Sequence, residues 1–261
     1  MPRRTNRMSK YQMIELSPSQ TAAIDIYKTK WHSILINNQN KPIQPELASK
    51  SIESFYLAAN FDKPEIIFFD NPLVAIKELI NTQDFKTILG KQINTKLTKR
   101  IYEHNNKLVS RQLTSVVFNQ LINYTIFIEY PRLPPNDCTA YFPTNASLYI
   151  SQHLEKDFCK LGFDYVDRSY FIQSILRPLD LISDICRLDF CIDHLNLQHD
   201  RKKWQILENL ILHSGFMFTF EKICLVCDRP LKITFSNNDF LQIDNKIEII
   251  YPGDYKISSN I

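Results

Sequence analysis

The chain has 261 residues, 44% of them hydrophobic and 23% charged, enough apolar material for a substantial core, while a formal net charge of +3 does not by itself call for an anionic partner. It contains only four glycines, and neither Gly-x-Gly-x-x-Gly nor Gly-x-x-x-x-Gly-Lys can be written anywhere, which excludes nucleotide binding by the two common glycine-loop routes. Six irregularly spaced cysteines (Cys138, Cys159, Cys186, Cys191, Cys224, Cys227), with no secretory leader ahead of them, fit reduced thiols and predict a cytoplasmic protein. No apolar stretch is long enough to cross a bilayer.

Residues 1–15 read as a basic arm carrying Arg3, Arg4, Arg7 and Lys10, solvated or lying on nucleic acid. Residues 16–130 read as a helical region with one short strand. Ser17 and Pro18 suit the N-cap and first position of a helix in which Ala22, Ile26, Tyr27 and Trp31 step along one face. A second helix is expected over 45–60, with Leu47, Ile52, Phe55 and Tyr56 inward. The apolar run after Pro64 predicts a buried strand over 64–69. Asp70 and Pro72 then open a helix over 73–79. A carboxylate at such a place can serve catalysis, and is read here first as a cap.

Residues 84–124 carry an apolar residue every four positions, at Leu89, Ile93, Leu97 and Ile101 and again at Leu113, Val117 and Leu121, with a break expected at Asn105–Asn106. Seven basic residues between 84 and 111 meet two acids. Of the seven, Lys96, Arg100, Lys107 and Arg111 would share one helix face able to track phosphates. The proline-rich stretch 131–145 predicts a rigid connection.

Residues 146–261 are expected to hold helices followed by strands. One helix runs from Ala146 to Leu161 and stops at Gly162. Another starts at Pro178 with Leu179, Ile182, Ile185, Leu188 and Ile192 inward, and a third covers Lys203 to Leu212 with Trp204 buried. From Phe216 the period changes to two. The run from Gly215 to Phe235 reads as two strands joined through the turn Asp228-Arg229-Pro230, with further strands at 240–243 and 247–251. The predicted class is α+β: mainly helical N-terminal and middle parts packed as one unit with a small antiparallel C-terminal β-meander over 216–255.

Three constellations bear on chemistry. Cys224-x-x-Cys227, with Cys191-x-x-His194, is a candidate zinc set, weighed against buried structural thiols. Asp180 and Asp184, and likewise Asp189 and Asp193, are spaced i, i+4. With His199 as general base, the first pair is a candidate site for metal-assisted hydrolysis, weighed against solvated acids beside Arg187, Arg201, Lys202 and Lys203. The basic face over 96–111 is the third.

The runs LSPSQTAAIDIYKTKW, KPEIIFFDNPLVAI, HDRKKW and FEKICLVCDRP together resemble an uncharacterised bacterial family, frequent in cyanobacteria and sometimes found beside leucine-rich repeats. Matching positions include Trp31, Pro64, Asp70, Pro72, Ala75, His199, Asp200, Trp204, Asp228, Arg229 and Pro230. After Pro230 the chain departs from the family's Leu-His, Gly-Pro-Ala-Ile and Asp-Gly pattern: Gln242, Asn245 and Ile247 replace its histidine, glycine and proline, and Gly253-Asp254 inverts its last pair. The resemblance implies a shared fold, and implies that any family site built on that pattern is degraded here. The functional expectation is a non-catalytic, intracellular protein-interaction module that needs no cofactor. The alternatives are a nucleic-acid-binding protein using the basic face and a metal-dependent hydrolase. The expected partner is a protein or a nucleic acid, not a membrane.

Overall fold

The computed structural model describes residues 13, 15–39, 41–80, 84–125, 142–236 and 246–258. The basic arm at 1–10, residues 131–141 of the proline-rich connection and the strand expected at 240–243 lie outside them. In chain order the elements are α1 (Pro18–Gln39), α2 (Pro45–Ala58), β1 (Glu65–Phe69), α3 (Pro72–Ile80), α4 (Phe85–Leu89), α5 (Asn94–Thr98), a π-helical turn (Lys99–Glu103), α6 (His104–Ser110) and α7 (Ser115–Thr125). Then come α8 (Phe142–Lys160), α9 (Tyr165–Ser174), β2 (Ile175–Leu176), a 3₁₀ turn (Pro178–Leu181), α10 (Ile182–Asp189), a second π turn (Phe190–His194) and α11 (Arg201–His213). The strands β3 (Phe216–Thr219), β4 (Ile223–Cys227), β5 (Lys232–Ser236), β6 (Lys246–Ile250) and β7 (Lys256–Ser258) follow. No helix among the described residues is long and apolar enough to cross a membrane.

The protein is a mostly helical α+β fold, but its strands are not one C-terminal meander. A four-stranded mixed sheet has the order β1-β4-β3-β2, and a separate three-stranded sheet has the order β5-β6-β7. β1 runs parallel to β4, pairing Glu65 with Ile223 and Phe69 with Cys227, while β3 and β4 form an antiparallel hairpin. The apolar alternation from Phe216 to Cys227, expected as a single strand ahead of the Asp228-Arg229-Pro230 turn, is thus two strands with a turn at Glu221–Lys222. Asp228-Arg229-Pro230 does link two strands, β4 and β5, but sends them into different sheets.

Period-two alternation makes the mixed sheet apolar on both sides. Met217, Cys224 and Val226 face one core, built from α1, α2, α10, α11 and the 93–121 stretch. Phe216, Phe218, Ile223, Leu225 and Cys227 face the other, which contains α3, α8 and α9 residues together with Ile249, Tyr251, Tyr255 and Ile257. The interior is therefore two apolar layers divided by a sheet that is buried on both faces.

Several helix signals act as expected. Ser17 Oγ accepts from the Gln20 amide at 3.2 Å while Gln20 Oε1 accepts from the Ser17 amide at 2.9 Å, a reciprocal capping box. Gly162 stands at φ 89° just past α8. Other details differ. α1 buries Ala23, Ile24, Tyr27 and Trp31, leaving Ile26 on the surface, and α2 buries Ala48, Ile52, Phe55 and Tyr56, leaving Leu47 out. The cap before α3 is Asn71, whose Oδ1 accepts from the Val74 amide at 3.0 Å and whose Nδ2 donates to the Pro252 carbonyl at 2.9 Å; Asp70 is exposed. α9 was not expected; its N-cap is Asp164, accepting from the Asp167 amide at 2.8 Å.

The segment 94–110 is one unbroken helical run in which α5, the π turn and α6 follow directly, and the break falls at 111–114. Asn105 does not interrupt the stripe but continues it, since 97, 101, 105, 109 and 113 are all buried. Asn105 is 0% exposed. Its side chain is satisfied by Asp200, whose amide donates to Oδ1 at 2.8 Å and whose carbonyl accepts from Nδ2 at 3.4 Å.

The Asp228–Arg229 turn ties four chain segments together. The Asp228 amide donates to the Phe69 carbonyl at the end of β1 at 2.9 Å, and its Oδ1 accepts from the Ile43 amide ahead of α2 at 2.8 Å. Arg229 donates to the Leu212 carbonyl at 2.7 Å and to the Ser214 carbonyl at 3.2 Å, closing the C-terminus of α11. Gly215 is required beside it, because a Cβ there would stand 2.6 Å from the Cys227 carbonyl oxygen. Removing the shared acceptor leaves a backbone donor unpaired, so Asp228→Ala should lower stability by about 1–3 kcal/mol in urea unfolding, with the slope unchanged. A loss under about 0.5 kcal/mol, typical of ordinary surface changes, would refute that role.

Candidate functional site: a basic cleft at a π-helical turn

The expected sites disperse. Asp180 pairs with Arg177 at 2.8 Å, and Asp184 pairs with Arg187 at 2.8 Å. Arg187 is 2% exposed, also donates to Asn106 Oδ1 at 3.1 Å, and lies 5.0 Å from the Phe118 ring centroid. Burial pulls its guanidinium downward, but the Asp184 carboxylate outweighs that and holds it above its ordinary range. Asp189 turns the other way, accepting from Trp31 Nε1 at 2.8 Å and Lys30 Nζ at 2.7 Å, and Asp193 accepts from the Tyr27 hydroxyl at 2.6 Å. His199 Nδ1 lies 3.1 Å from the Leu197 carbonyl oxygen. Asp189 and Asp193 are thus engaged by α1, while Asp180 and Asp184 pair with arginines three residues away. Among the described residues no three His, Cys, Asp or Glu side chains are grouped as a metal would require.

The cysteine pair divides in the same way. Cys224 and Cys227 are both buried on β4, but their three-residue spacing puts them on opposite faces of the sheet, one in each core. Cys191 is buried in the first core, and His194 stacks on Phe190 with centroids 5.2 Å apart.

What the structure does gather is a cleft of about 390 Å³ lined by Ala58, Asn60, Lys99, Arg100, Glu103, His104, Lys107 and Lys203. Five of these lie on the helical run at 99, 100, 103, 104 and 107, spacings that return to one side. α2 contributes the opposite wall through Ala58 and the turn after it. Lys203, in the first turn of α11, closes the third side. Two of the four residues expected on the basic face, Arg100 and Lys107, line the cleft; Lys96 and Arg111, towards either end of the run, do not.

The lining is set in place by specific contacts. Arg100 Nη1 donates to the Ala59 carbonyl at the end of α2, and its guanidinium lies 5.0 Å from the Phe61 ring centroid. Asp200, held by Asn105, caps α11 by accepting from the Lys203 amide at 3.1 Å. Its Oδ2 lies 3.6 Å from His104 Nε2 and 3.9 Å from Lys203 Nζ. Lys99, Lys107 and Glu103 make no ion pair or side-chain hydrogen bond with any described residue. Four permanent cations therefore meet one lining acid. The π turn beneath them is an uncommon element that often marks functional sites, because its wider turn has poorer backbone geometry than an α-helix.

Lys99, His104, Asn60 and Lys203 were not expected here. The sequence places Lys99 and His104 beside Arg100 and Lys107, but nothing in it brings position 203 to that helix. Comparison with protein-family models, with curated proteins and with solved structures finds no match for the chain.

The buried thiols are inert by their surroundings. Burial pushes Cys186, Cys191 and Cys224 up to about 12, and raises Cys227 well above its ordinary value. Alkylation of the native protein at pH 8, read by peptide mass spectrometry, should label Cys159, which is exposed, and spare these four until denaturant is added. Native labelling of Cys224 or Cys227 would contradict the two-sided burial of β4.

Proposed function

We propose that this chain is a non-catalytic interaction module that holds a phosphate-bearing partner in the cleft between α2, the π turn and α11. The observation that carries the reading is the convergence of Lys99, Arg100, Lys107 and Lys203 on one cavity with Glu103 as the only acid in its lining. The lysines offer compact point charges on flexible stems, which suit phosphate oxygens without demanding a bidentate geometry. No Phe, Tyr or Trp lines the cleft and His104 is its one aromatic ring, so the reading rests on contact with phosphates rather than on a platform for stacking bases. The dispersal of Asp180, Asp184, Asp189 and Asp193 into separate ion pairs and hydrogen bonds supports the non-catalytic half. The resemblance to a bacterial family of unassigned activity adds a proposed kinship and no chemistry.

Inorganic polyphosphate is a suitable probe. If three or four phosphates are neutralised, affinity should fall roughly 20- to 50-fold between 50 and 200 mM NaCl. The Lys99→Glu, Lys107→Glu double variant should lose at least tenfold at the lower salt while unfolding at the wild-type urea concentration, since both side chains are exposed. Binding indifferent to salt or to the double variant would overturn the cleft. Hydrolysis of the probe with added magnesium would overturn the non-catalytic half.

A further inference from the structure

Resting on that reading, we infer that the cleft takes a ribose phosphate, with Glu103 accepting a hydrogen bond from the sugar hydroxyl. Every other charged group in the lining is a cation, whether Lys99, Arg100, Lys107 or Lys203, and His104 adds ring nitrogens. A site for phosphate alone has no use for a carboxylate, which repels the ligand it sits beside. Glu103 is exposed and makes no ion pair with any described residue, whereas Asp200 behind it faces both His104 and Lys203. The carboxylate is an acceptor-only group whose oxygens are open to a ligand that displaces water.

Its natural complement is a ligand that carries a donor close to a phosphate. A phosphodiester has no donor of its own at neutral pH, and a deoxyribose strand has none on the sugar within the chain. The ribose 2′-hydroxyl is such a donor, and it is the group by which proteins tell RNA from DNA. An acid that accepts from a ribose hydroxyl beside a phosphate-binding helix region is an established arrangement in nucleotide sites of other architecture. A phosphopeptide is less well matched, because Ala58 is the only apolar side chain available to receive its flanking residues. The same chemistry is offered by an RNA strand and by a free ribonucleotide. The volume of about 390 Å³ accommodates either one nucleotide unit of a strand or a mononucleotide, being at the small end of ligand sites.

The test uses the full chain and fluorescence anisotropy at 100 mM NaCl with 5′-fluorescein-labelled 12-mers of uridine as RNA, as DNA and as 2′-O-methyl RNA. RNA should bind about tenfold more tightly than the other two, the range expected for one hydrogen bond to a charged group. In Glu103→Ala that ratio should collapse to about one, with DNA binding strengthened because a repulsive charge is gone. Unlabelled UMP as competitor separates the two sources: displacement at concentrations comparable to the 12-mer means a free ribonucleotide site, and failure to displace means a strand. Equal binding of all three 12-mers, still weakened by Lys99→Glu, Lys107→Glu, would overturn the sugar contact while leaving the phosphate cleft standing. Absence of any salt-sensitive binding would overturn the cleft itself. RNA preference that survives Glu103→Ala would remove Glu103 from the role, as would a phosphoserine peptide that binds as tightly as the RNA.

Discussion

The structure depends on β4 being closed in on every side. Its two edges are taken by β1 and β3, and its two faces by separate apolar layers. A strand in that position exposes no backbone polar group that lacks a ladder partner, and each of its five side chains leaves water. At about 25 cal/mol per Å² of apolar surface removed from water, such a strand contributes far more than the exposed ion pairs elsewhere, which are worth about 0–1 kcal/mol each. The parallel pairing with β1 also has a topological consequence. Residues 65–69 and 223–227 are far apart in sequence, so neither core layer can close before the chain between them has found its place.

The turn after β4 converts that central strand into a fixed frame. Asp228 reaches the end of β1 and the entry to α2, while Arg229 reaches the carbonyls at the end of α11. The two helices that wall the cleft are thereby referred to the same point, α2 through its start and α11 through its finish. Their other ends, the C-terminus of α2 and the N-terminus of α11, carry Ala58, Asn60 and Lys203 into the lining. An arginine in such a knot is not interchangeable with lysine, since one guanidinium serves two carbonyls at once.

Legibility in the sequence followed the range of the signal. The cap at Ser17, the stop at Gly162 and the existence of a strand between Pro64 and Pro72 depend on neighbours a few residues away and could be read directly, but that strand, expected to be buried, is a half-buried edge. The partner of that strand could not, because nothing in 65–69 singles out 223–227 or a parallel direction. The same limit explains the cleft. Arg100 and Lys107 were visible as one helix face, whereas Lys203 joins them through the packing of α11 on α2 and the helical run, with the Asn105–Asp200 contact at its start. Asn105 itself was misread as a break for a local reason: a polar residue in an apolar ladder resembles an interruption, yet its four-residue spacing from Ile101 and Val109 marked it as part of the ladder. The period of four also held a second message, since steps of four drift on an ideal α-helix and stay in phase only where turns are widened, as at Lys99–Glu103.

That widening connects the core to the surface. The inner side of the helical run must present Leu97, Ile101, Asn105 and Val109 to the first core, and the π turn is the adjustment that keeps all four inward. Its outer side then carries Lys99, Arg100, Glu103 and His104 against α2, where Arg100 is spent on a helix-end carbonyl and Glu103 is left without a partner. The described cations near it do not close on it, and Asp200 stands beside Lys203 and His104 from behind. The inner face is thus fixed by packing, and the outer face keeps one acceptor and two lysines, none paired with a described residue, open to solvent, the arrangement on which the proposed phosphate and hydroxyl contacts rest.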